Sequence, residues 1–423
     1  MGESTKDMTR GNPRQMIISF AIPLMLGNVF QQMYTVMDSV IVGRGIGVEA
    51  LAALGTSDWL SFTAIGGITG IAQGFSVLIA QRFGAKDEKG MKKTVAMSVW
   101  TGAGVTLLFM ALFLGNLKIL LNFLRVPENI WQSAYNYLFI LLVGLVATAL
   151  YNISSGILRA MGDSKTPLKA MVTAAVTNIV LDLIFVMVFH WGVEGAGIAT
   201  VLAQFCSGGI CCIQLKKYGV WKMSKEDWKY DFCVVKKLLG LGLPVAFQNI
   251  IIGFGGIAIQ YVINGFGFLY VAGFTATNKL YGLFELAAVS LGYATSSFVG
   301  QNLGAGEYQR IKDGVKISAQ LSVVIALAVG AVLLIFGHEI LGIFISPTEK
   351  QAEEVLKIAY NYLAVMGATL IILYLLHIYR SALQGMGDTV IPMFSGIAEM
   401  IMRISIAFFL PFVMGKEGIY FAE

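Results

Sequence analysis

Charged residues are scarce in this sequence. Asp, Glu, Lys and Arg make up only 13% of its 423 residues, whereas soluble globular proteins average about 25%. Hydrophobic residues make up 57% of the chain, and the mean hydropathy is +0.73. So few charges cannot coat a globular surface. The composition therefore excludes an ordinary soluble domain and indicates an all-α polytopic membrane protein.

Histidine and cysteine are also rare, and neither forms a pattern that supports catalysis. The three histidines are scattered along the chain, and no HExxH or GxSxG motif is present. The four cysteines cluster in one region without the spacing of a metal site, so we expect free thiols. We therefore expect no enzyme activity, no cofactor and no nucleic-acid partner.

Eleven segments are apolar and long enough to cross a membrane, a task that needs about 20 residues. They lie near 16–43, 50–81, 94–121, 131–158, 167–190, 194–214, 237–264, 269–300, 314–343, 352–384 and 391–413. If the N-terminus is cytoplasmic, 22 of the 30 Lys and Arg residues fall on the cytoplasmic side and seven on the other. This asymmetry predicts a plasma-membrane protein with a cytoplasmic N-terminus.

The two halves of the chain repeat each other. The motif "RAMGDSKTP" at 159–167 matches "QGMGDTVIP" at 384–392, an offset of 225, and "QRFGA" at 81–85 matches "QNLGA" at 301–305, an offset of 220. Gly-Asp before a proline predicts a short loop between two spans. Each full repeat holds six spans, so both halves start on the same side of the membrane. This arrangement is typical of secondary transporters, which rock around a central cleft.

The repeat predicts the domain organisation. We expect an N-terminal six-helix bundle at 1–215, a cytoplasmic amphipathic linker at 216–236 and a C-terminal bundle at 237–423 with five helices. The linker combines lysines with aromatic residues, which favours an interfacial helix, with a charged loop as the alternative. The segment 415–422 matches the turn before span six, so a twelfth helix is expected after it and is missing from the sequence.

Two six-helix halves, "QxxGA" after span two and "RAMGDSKTP" after span four resemble the MATE family of multidrug and toxic compound extrusion transporters, most closely its MepA-like bacterial branch. The resemblance covers the chain except for the last helix. It implies export of amphipathic, mostly cationic organic compounds, coupled to inward Na⁺ or H⁺ movement by alternating access. A lipid-linked oligosaccharide flippase of the same superfamily is the alternative, although an acidic bundle interior argues against anionic cargo.

The resemblance also implies a cation-coupling cluster. Asp38 on span one, Asn178 and Asp182 on span five and Thr200 on span six occupy the family positions, and Tyr34 lies one turn before Asp38. At about 1.5 Å per residue, Asp38, Thr200 and Asp182 lie about 7, 9 and 12 Å from the outer ends of their spans, and Tyr34 and Asn178 lie one turn deeper. Two nearby carboxylates in a partly dry pocket do not both stay ionised cheaply, so the cluster is expected to hold a proton or Na⁺.

Each of these residues also has a purely structural interpretation. Asp38 could be an interfacial acid, Asn178 with Asp182 a structural polar contact, and Thr200 a threonine bonded to its own helix. The repeat provides an internal control, because Asp38, Asn178 and Asp182 map to Ile259, Arg403 and Ala407 in the second half. Acids that the fold itself required would recur in both halves.

Glu399 and Arg403 are spaced i,i+4 on span eleven and are expected to form a buried ion pair. Its role is either to lock the structure or to handle substrate and protons. Adaptable Met, Gln and aromatic side chains near the cleft are candidates for substrate contacts, with plain packing as the alternative. The candidates are Phe30, Gln31, Met33 and Met171. The expected partners are small organic molecules and membrane lipid, and the protein is expected to be a monomer.

Overall fold

A computed structural model describes residues 6–124, 126–344 and 351–422, and every regular element in these ranges is helical. Twelve α-helices lie within the described ranges. Their bounds are α1 Pro13–Gly45, α2 Val48–Gly84, α3 Glu88–Phe123, α4 Glu128–Val143, α5 Leu145–Ala160, α6 Lys165–Asp182, α7 Gly192–Lys217, α8 Phe232–Phe266, α9 Phe268–Gly304, α10 Tyr308–Phe344, α11 Ala352–Met386 and α12 Val390–Met414. A π-helical turn, Leu183–Val188, continues α6, and a 3₁₀ turn, Gly415–Phe421, follows α12.

Ten helices in the described ranges are each long and apolar enough to cross a membrane. The shorter α4 and α5 meet at Gly144 with a bend of 41°, and counting them as one broken span gives eleven. Gly144 lies so close to Val201 on α7 that a side chain would collide there. The eleven spans match the eleven segments predicted from the sequence, with six before the linker and five after it.

The loops predicted from the repeated Gly-Asp motif have the same structure in both halves. Gly162 and Gly387 adopt left-handed backbone conformations, with φ of +80° and +93°, which favours glycine. The next residue in each copy, Asp163 or Asp388, accepts hydrogen bonds from the backbone N–H groups two and three residues later. Each aspartate thereby satisfies the first free N–H groups of the next helix.

The linker forms turns over 218–231, so the interfacial helix predicted there is wrong and the alternative, a charged loop, is what forms. Gly219, with φ of +76°, ends the helical path after α7. Asp227 accepts hydrogen bonds from the backbone N–H and the hydroxyl of Ser224, at 2.7 and 2.9 Å. The backbone hydrogen bond and then the side-chain one hold the pKa of Asp227 below its ordinary value.

The helices form two lobes, α1–α7 and α8–α12, which meet where α1 and α2 pack against α8 and α9. Small residues allow the close approach of α2 and α8, since Gly74 faces Gly242 and Gly70 faces Ala246. We call the end of the molecule at which α1 begins and α2 and α9 end the base. The inter-lobe contacts of α1 lie in its half nearest the base, where its apolar residues form one core cluster with those of α9.

Candidate functional site

The predicted coupling residues lie together where α1, α6 and α7 converge, and we call them the acid cluster. Tyr34 and Asp38 lie on α1, Asn178 and Asp182 on α6 and Thr200 on α7. Asn178 and Asp182 are fully buried, Tyr34 and Asp38 are nearly so, and Thr200 is half-buried. The structure therefore brings all five residues into one place, whereas their part in cation coupling stays a prediction.

Two hydrogen bonds connect the helices of the acid cluster. Asn178 donates from Nδ2 to Oγ1 of Thr200 at 3.4 Å. Gln204, one turn after Thr200 on α7, donates from Nε2 to the hydroxyl of Tyr34 at 3.2 Å. Sequence reasoning missed Gln204, although its spacing of four from Thr200 places it on the same helix face.

The acid cluster and the adjoining Gln204 contain buried oxygen atoms without a hydrogen-bond partner among the described residues. Both carboxylate oxygens of Asp182 are of this kind, as are Oδ1 of Asn178 and Oε1 of Gln204. Asp38 lies close enough to Asp182 for the two carboxylates to interact electrostatically. Buried oxygens without partners cost free energy, and a proton or a cation held between them offsets that cost. Carboxylate, amide and hydroxyl oxygens suit a hard cation such as Na⁺.

The helical path changes immediately after Asp182. The π-helical turn Leu183–Val188 begins there, with hydrogen bonds that span five residues instead of four. The side chains of Val186 and Met187 in this turn pack against Gly45 at the end of α1. Single π-turns inside α-helices occur frequently at functional sites. The apolar pattern of the sequence gives no signal for this change, because the composition of the segment suits either helix type.

The counterparts of the two acids in the second lobe are apolar. Ile259 and Ala407, the repeat counterparts of the two acids, are fully buried in one hydrophobic cluster with Phe274 and Tyr362. These two positions therefore hold hydrocarbon in one lobe and carboxylates in the other, whereas the counterpart of Asn178 is the charged Arg403. The acids are not a requirement of the repeated fold.

The second lobe carries a different group of charges. Glu399 lies 3.0 Å from Arg403 on the same helix and 2.8 Å from Arg380 on α11, and all three side chains are largely buried. The cluster therefore ties α11 to α12 with two cations on one carboxylate. The sequence pattern indicated the i,i+4 pair but not Arg380, because contacts between spans leave no mark in local spacing. Glu285 on α9 lies 3.8 Å from His377 on α11.

A cavity of about 170 Å³ lies next to the acid cluster, and Gln31, Tyr34 and Thr200 line it. Of the four predicted substrate contacts, Gln31 alone is a lining residue of this cavity. Phe30 and Met33 lie on exposed parts of α1 and do not line it. Met171 is 3% exposed within a hydrophobic core cluster, on the face of α6 that packs against Gly27 of α1, which favours the alternative of plain packing. The cavity is also lined by Asn28, Thr148, Asn152, Arg159 and Tyr293.

The repeated "QxxGA" motifs meet at the base. Gly84 at the end of α2 lies against the backbone of Gln301, and Gly304 at the end of α9 lies against the backbone of Gln81. A Cβ atom on Gly84 would lie 2.7 Å from Cα of Gln301, and one on Gly304 would lie 2.7 Å from the carbonyl carbon of Gln81. Only glycine permits this approach, and the two contacts are related by the repeat.

The glutamine side chains at the base form hydrogen bonds between the two lobes. Gln81 donates from Nε2 to the carbonyl of Gly385 in the second lobe at 3.2 Å, and Gln301 donates to the carbonyl of Ala160 in the first lobe at 2.8 Å. Ala160 and Gly385 are themselves equivalent under the offset of 225. The backbone N–H of Met8 donates to Oε1 of Gln301, so the segment before α1 joins the same contact. We call these reciprocal interactions the base contact.

Two lobes of apolar helices, related by an internal repeat, closed at one end and holding a buried polar cluster, define the class of secondary transporters. The MatE family model matches residues 23–184 in the first lobe and 244–409 in the second. The chain belongs to this family.

Named relatives agree with this assignment. The chain is 32% identical over 364 residues to the probable multidrug resistance protein YpnP of Bacillus subtilis, covering 84% of this chain and 80% of that protein. It is 25% identical over 411 residues to the probable multidrug resistance protein NorM of Thermotoga maritima, covering 93% and 85%. A solved structure described as an outward-facing conformation of a multidrug resistance MATE family transporter superposes with a TM-score of 0.91 at 24% identity, covering 100% of this chain and 94% of that one. Members of this family are transporters and not enzymes.

Proposed function

We propose that this protein is an antiporter that exports amphipathic, mostly cationic organic compounds across the plasma membrane in exchange for Na⁺ or H⁺. The observation that carries the proposal is the acid cluster of the first lobe. Its carboxylates are buried in an apolar bundle, and several of its oxygens have no hydrogen-bond partner among the described residues. Ionisable groups inside a membrane segment are costly and are kept for function.

The coupling ion is a transported species in this mechanism and not a resident cofactor. A proton or Na⁺ entering from outside binds at Asp38 and Asp182, with the oxygens of Asn178 and Thr200 completing the set. Neutralising the carboxylates removes their attraction for an organic cation in the adjoining cavity, so the drug leaves. Discharge of the ion restores the negative charge and the affinity for the next drug. Because both ligands depend on the same charge, their binding is mutually exclusive.

The proposed orientation places the base in the cytoplasm. The excess of Lys and Arg at this end supports it. The base contact then closes the cytoplasmic side, and export requires the two lobes to separate there and admit a drug from inside. We further propose that the protein works as a monomer surrounded by lipid, since each chain contains both lobes and the cleft between them.

A flippase for lipid-linked oligosaccharide is the less favoured function. The relatives reported above carry multidrug resistance names. The multidrug antiporter therefore remains the better supported proposal.

The test compares drug export by wild type with that by Asp38→Asn and Asp182→Asn. Each substitution keeps the shape of the side chain and removes its negative charge. Asp313→Asn, at an exposed aspartate of α10, is the matched control. Export of a cationic dye is measured in cells with equal amounts of protein in the membrane. It is measured again in proteoliposomes with either a Na⁺ gradient or a pH gradient imposed.

We expect both cluster variants to lose export and the control to keep it. If export requires the Na⁺ gradient, the coupling ion is Na⁺. If the pH gradient alone drives export, the coupling ion is the proton. If both cluster variants export dye at the wild-type rate, the acid cluster is not the coupling site. Glu399, Arg403 and Glu285 then become the residues to substitute.

A further inference from the structure

The cavity beside the acid cluster has a cationic wall. Among the described residues that line it, Arg159 is the one with a full charge; the others are neutral polar, aromatic or aliphatic. Asp38 and Asp182 are not lining residues; Asp38 lies one turn from the lining residue Tyr34, and Asp182 lies one turn from Asn178, which bonds to the lining residue Thr200. A ligand in this cavity therefore contacts a guanidinium directly, and its electrostatic interaction with the carboxylates acts over a longer distance.

Arg159 is nine-tenths buried, and no carboxylate of the described residues lies within ion-pair distance of it. Its Nη1 donates to Oγ of Ser155 at 3.1 Å, and its guanidinium lies 4.9 Å from the ring centroid of Tyr293 on α9. The carboxylate of Asp163 is used in other interactions, because its oxygens accept hydrogen bonds from the backbone N–H groups at the start of α6 and from the hydroxyl of Tyr218. A buried cation without a carboxylate is costly, and its retention needs a reason.

The repeat shows that the fold does not demand an arginine here. The counterpart of Arg159 under the offset of 225 is Gln384, a neutral residue that bonds to Gln73 and Gln248. Both copies of the Gly-Asp motif end one span and start the next with the same turn, although this position is an arginine in the first copy and a glutamine in the second. The two buried arginines of the second lobe, by contrast, share Glu399. Arg159 thus differs both from its repeat counterpart and from the structural arginines of the same chain.

We infer that Arg159 binds an anionic group of the transported molecule, a carboxylate above all. The guanidinium fork matches a carboxylate in two parallel hydrogen bonds. The amides of Asn28 and Asn152 on the same wall add neutral donors. The inference rests on the proposed export function and narrows its substrate class to amphoteric compounds. Their cationic part is attracted by the acid cluster, and their acidic part pairs with Arg159.

The subsite is shared between the lobes. Ser155 and Arg159 belong to the first lobe, whereas Tyr293 belongs to the second. An aromatic acid can pair with the guanidinium while its ring stacks against a tyrosine ring of the same wall. Separation of the lobes at the base would take Tyr293 away and leave the anion held by the first lobe alone.

The test uses two dyes that differ by one methyl group: a cationic rhodamine methyl ester and its zwitterionic free acid. Binding to the purified full chain in detergent is followed by fluorescence anisotropy, which does not depend on transport. Wild type should bind the free acid more tightly than the ester. Arg159→Gln should weaken binding of the acid by about tenfold or more and leave the ester within about twofold. Arg159→Lys should keep part of the preference, and Arg14→Gln, at an exposed arginine of α1, serves as the control.

A competition in wild type needs no variant. Benzoate should displace the free acid at concentrations at which benzamide, a neutral molecule of the same shape, does not. Equal affinity of wild type for both dyes, or an equal loss of both in Arg159→Gln, overturns the inference. Export of the ester by Arg159→Gln, measured in cells, shows that the proposed function stands independently. Preferential binding of the acid without export of either dye supports the anion subsite and counts against the antiporter.

Discussion

Replacing Gly84 by alanine should open the base. The added Cβ would lie 2.7 Å from Cα of Gln301, and the carbonyl oxygen of Gln301 would be nearer still. Ordinary carbon contacts begin near 3.4 Å, so the two helix ends must separate by about 0.7 Å or more. The opposing atoms are backbone and cannot rotate away. Overpacking of this kind costs about 2 to 3 kcal/mol, which lowers the ratio of closed to open base by about 30- to 150-fold.

The opening is measured with two spin labels. Lys89 in the first lobe and Gln309 in the second are exposed near the base and are equivalent under the offset of 220. Double electron–electron resonance between labels at these positions should show a longer distance in Gly84→Ala than in the parent protein. The repeat predicts the same shift for Gly304→Ala, because it makes the matching contact with the backbone of Gln81.

Gly240→Ala is the matched control for this experiment. Gly240 lies near the base on α8, and an added Cβ there meets no atom within 4 Å. It should leave the distance between the labels unchanged. If Gly84→Ala and Gly304→Ala give the distance distribution of the control, the base contact does not govern closure, and the reasoning from backbone overlap is refuted. Reduced dye export by both glycine variants, with normal amounts in the membrane, should accompany the longer distance.

Three further predictions concern single side chains. Glu399→Gln removes the carboxylate that Arg380 and Arg403 share and should destabilise the purified protein by about 3 to 5 kcal/mol in thermal unfolding. Arg403→Met keeps the pair between Glu399 and Arg380 and should cost less. Met171→Ala should lower stability by about 2 to 5 kcal/mol without changing the relative export of different dyes, whereas a changed dye preference would place Met171 in the cleft after all. Asp227 has a lowered pKa, so its contribution is present above the ordinary pKa of aspartate and is lost as pH falls through the lowered value. Limited proteolysis of the linker should therefore accelerate only below about pH 4 in wild type, but already at neutral pH in Asp227→Ala.

The spans and the repeat could be predicted because they depend on composition and local motifs. A run of about twenty apolar residues has few alternatives to a helix in a membrane. A Gly-Asp pair before a new helix needs the left-handed glycine conformation seen at Gly162 and Gly387. The acid cluster could be located because the family positions fall on three helices at similar depth. Asp38 and Asp182 accordingly lie together, as the sequence indicates.

The features that escaped prediction depend on contacts between elements. The sequence has no local signal for the π-helical turn after Asp182, since a change in hydrogen-bond register leaves the apolar pattern intact. The partner of Glu399 on α11 and the hydrogen bond from Gln204 to Tyr34 join residues far apart in the chain. The burial of Met171 in a core cluster could not be predicted, because a periodic pattern does not tell which apolar face meets a neighbouring helix and which meets a cleft.

The base contact has the symmetry of a two-fold dimer interface. A glutamine of each lobe donates a hydrogen bond to a backbone carbonyl of the other lobe, and the two acceptors, Gly385 and Ala160, are equivalent in the repeat. The surface is therefore self-complementary, as in an isologous interface. The covalent connection through 218–231 takes no part in this exchange. Two polypeptides separated within that loop retain every hydrogen bond of the base contact, and co-expressed halves are expected to reassemble as a heterodimer. Each half carries both the glutamine donor and the carbonyl acceptor of this contact, so the base contact is equivalent to an interface between two copies of one half.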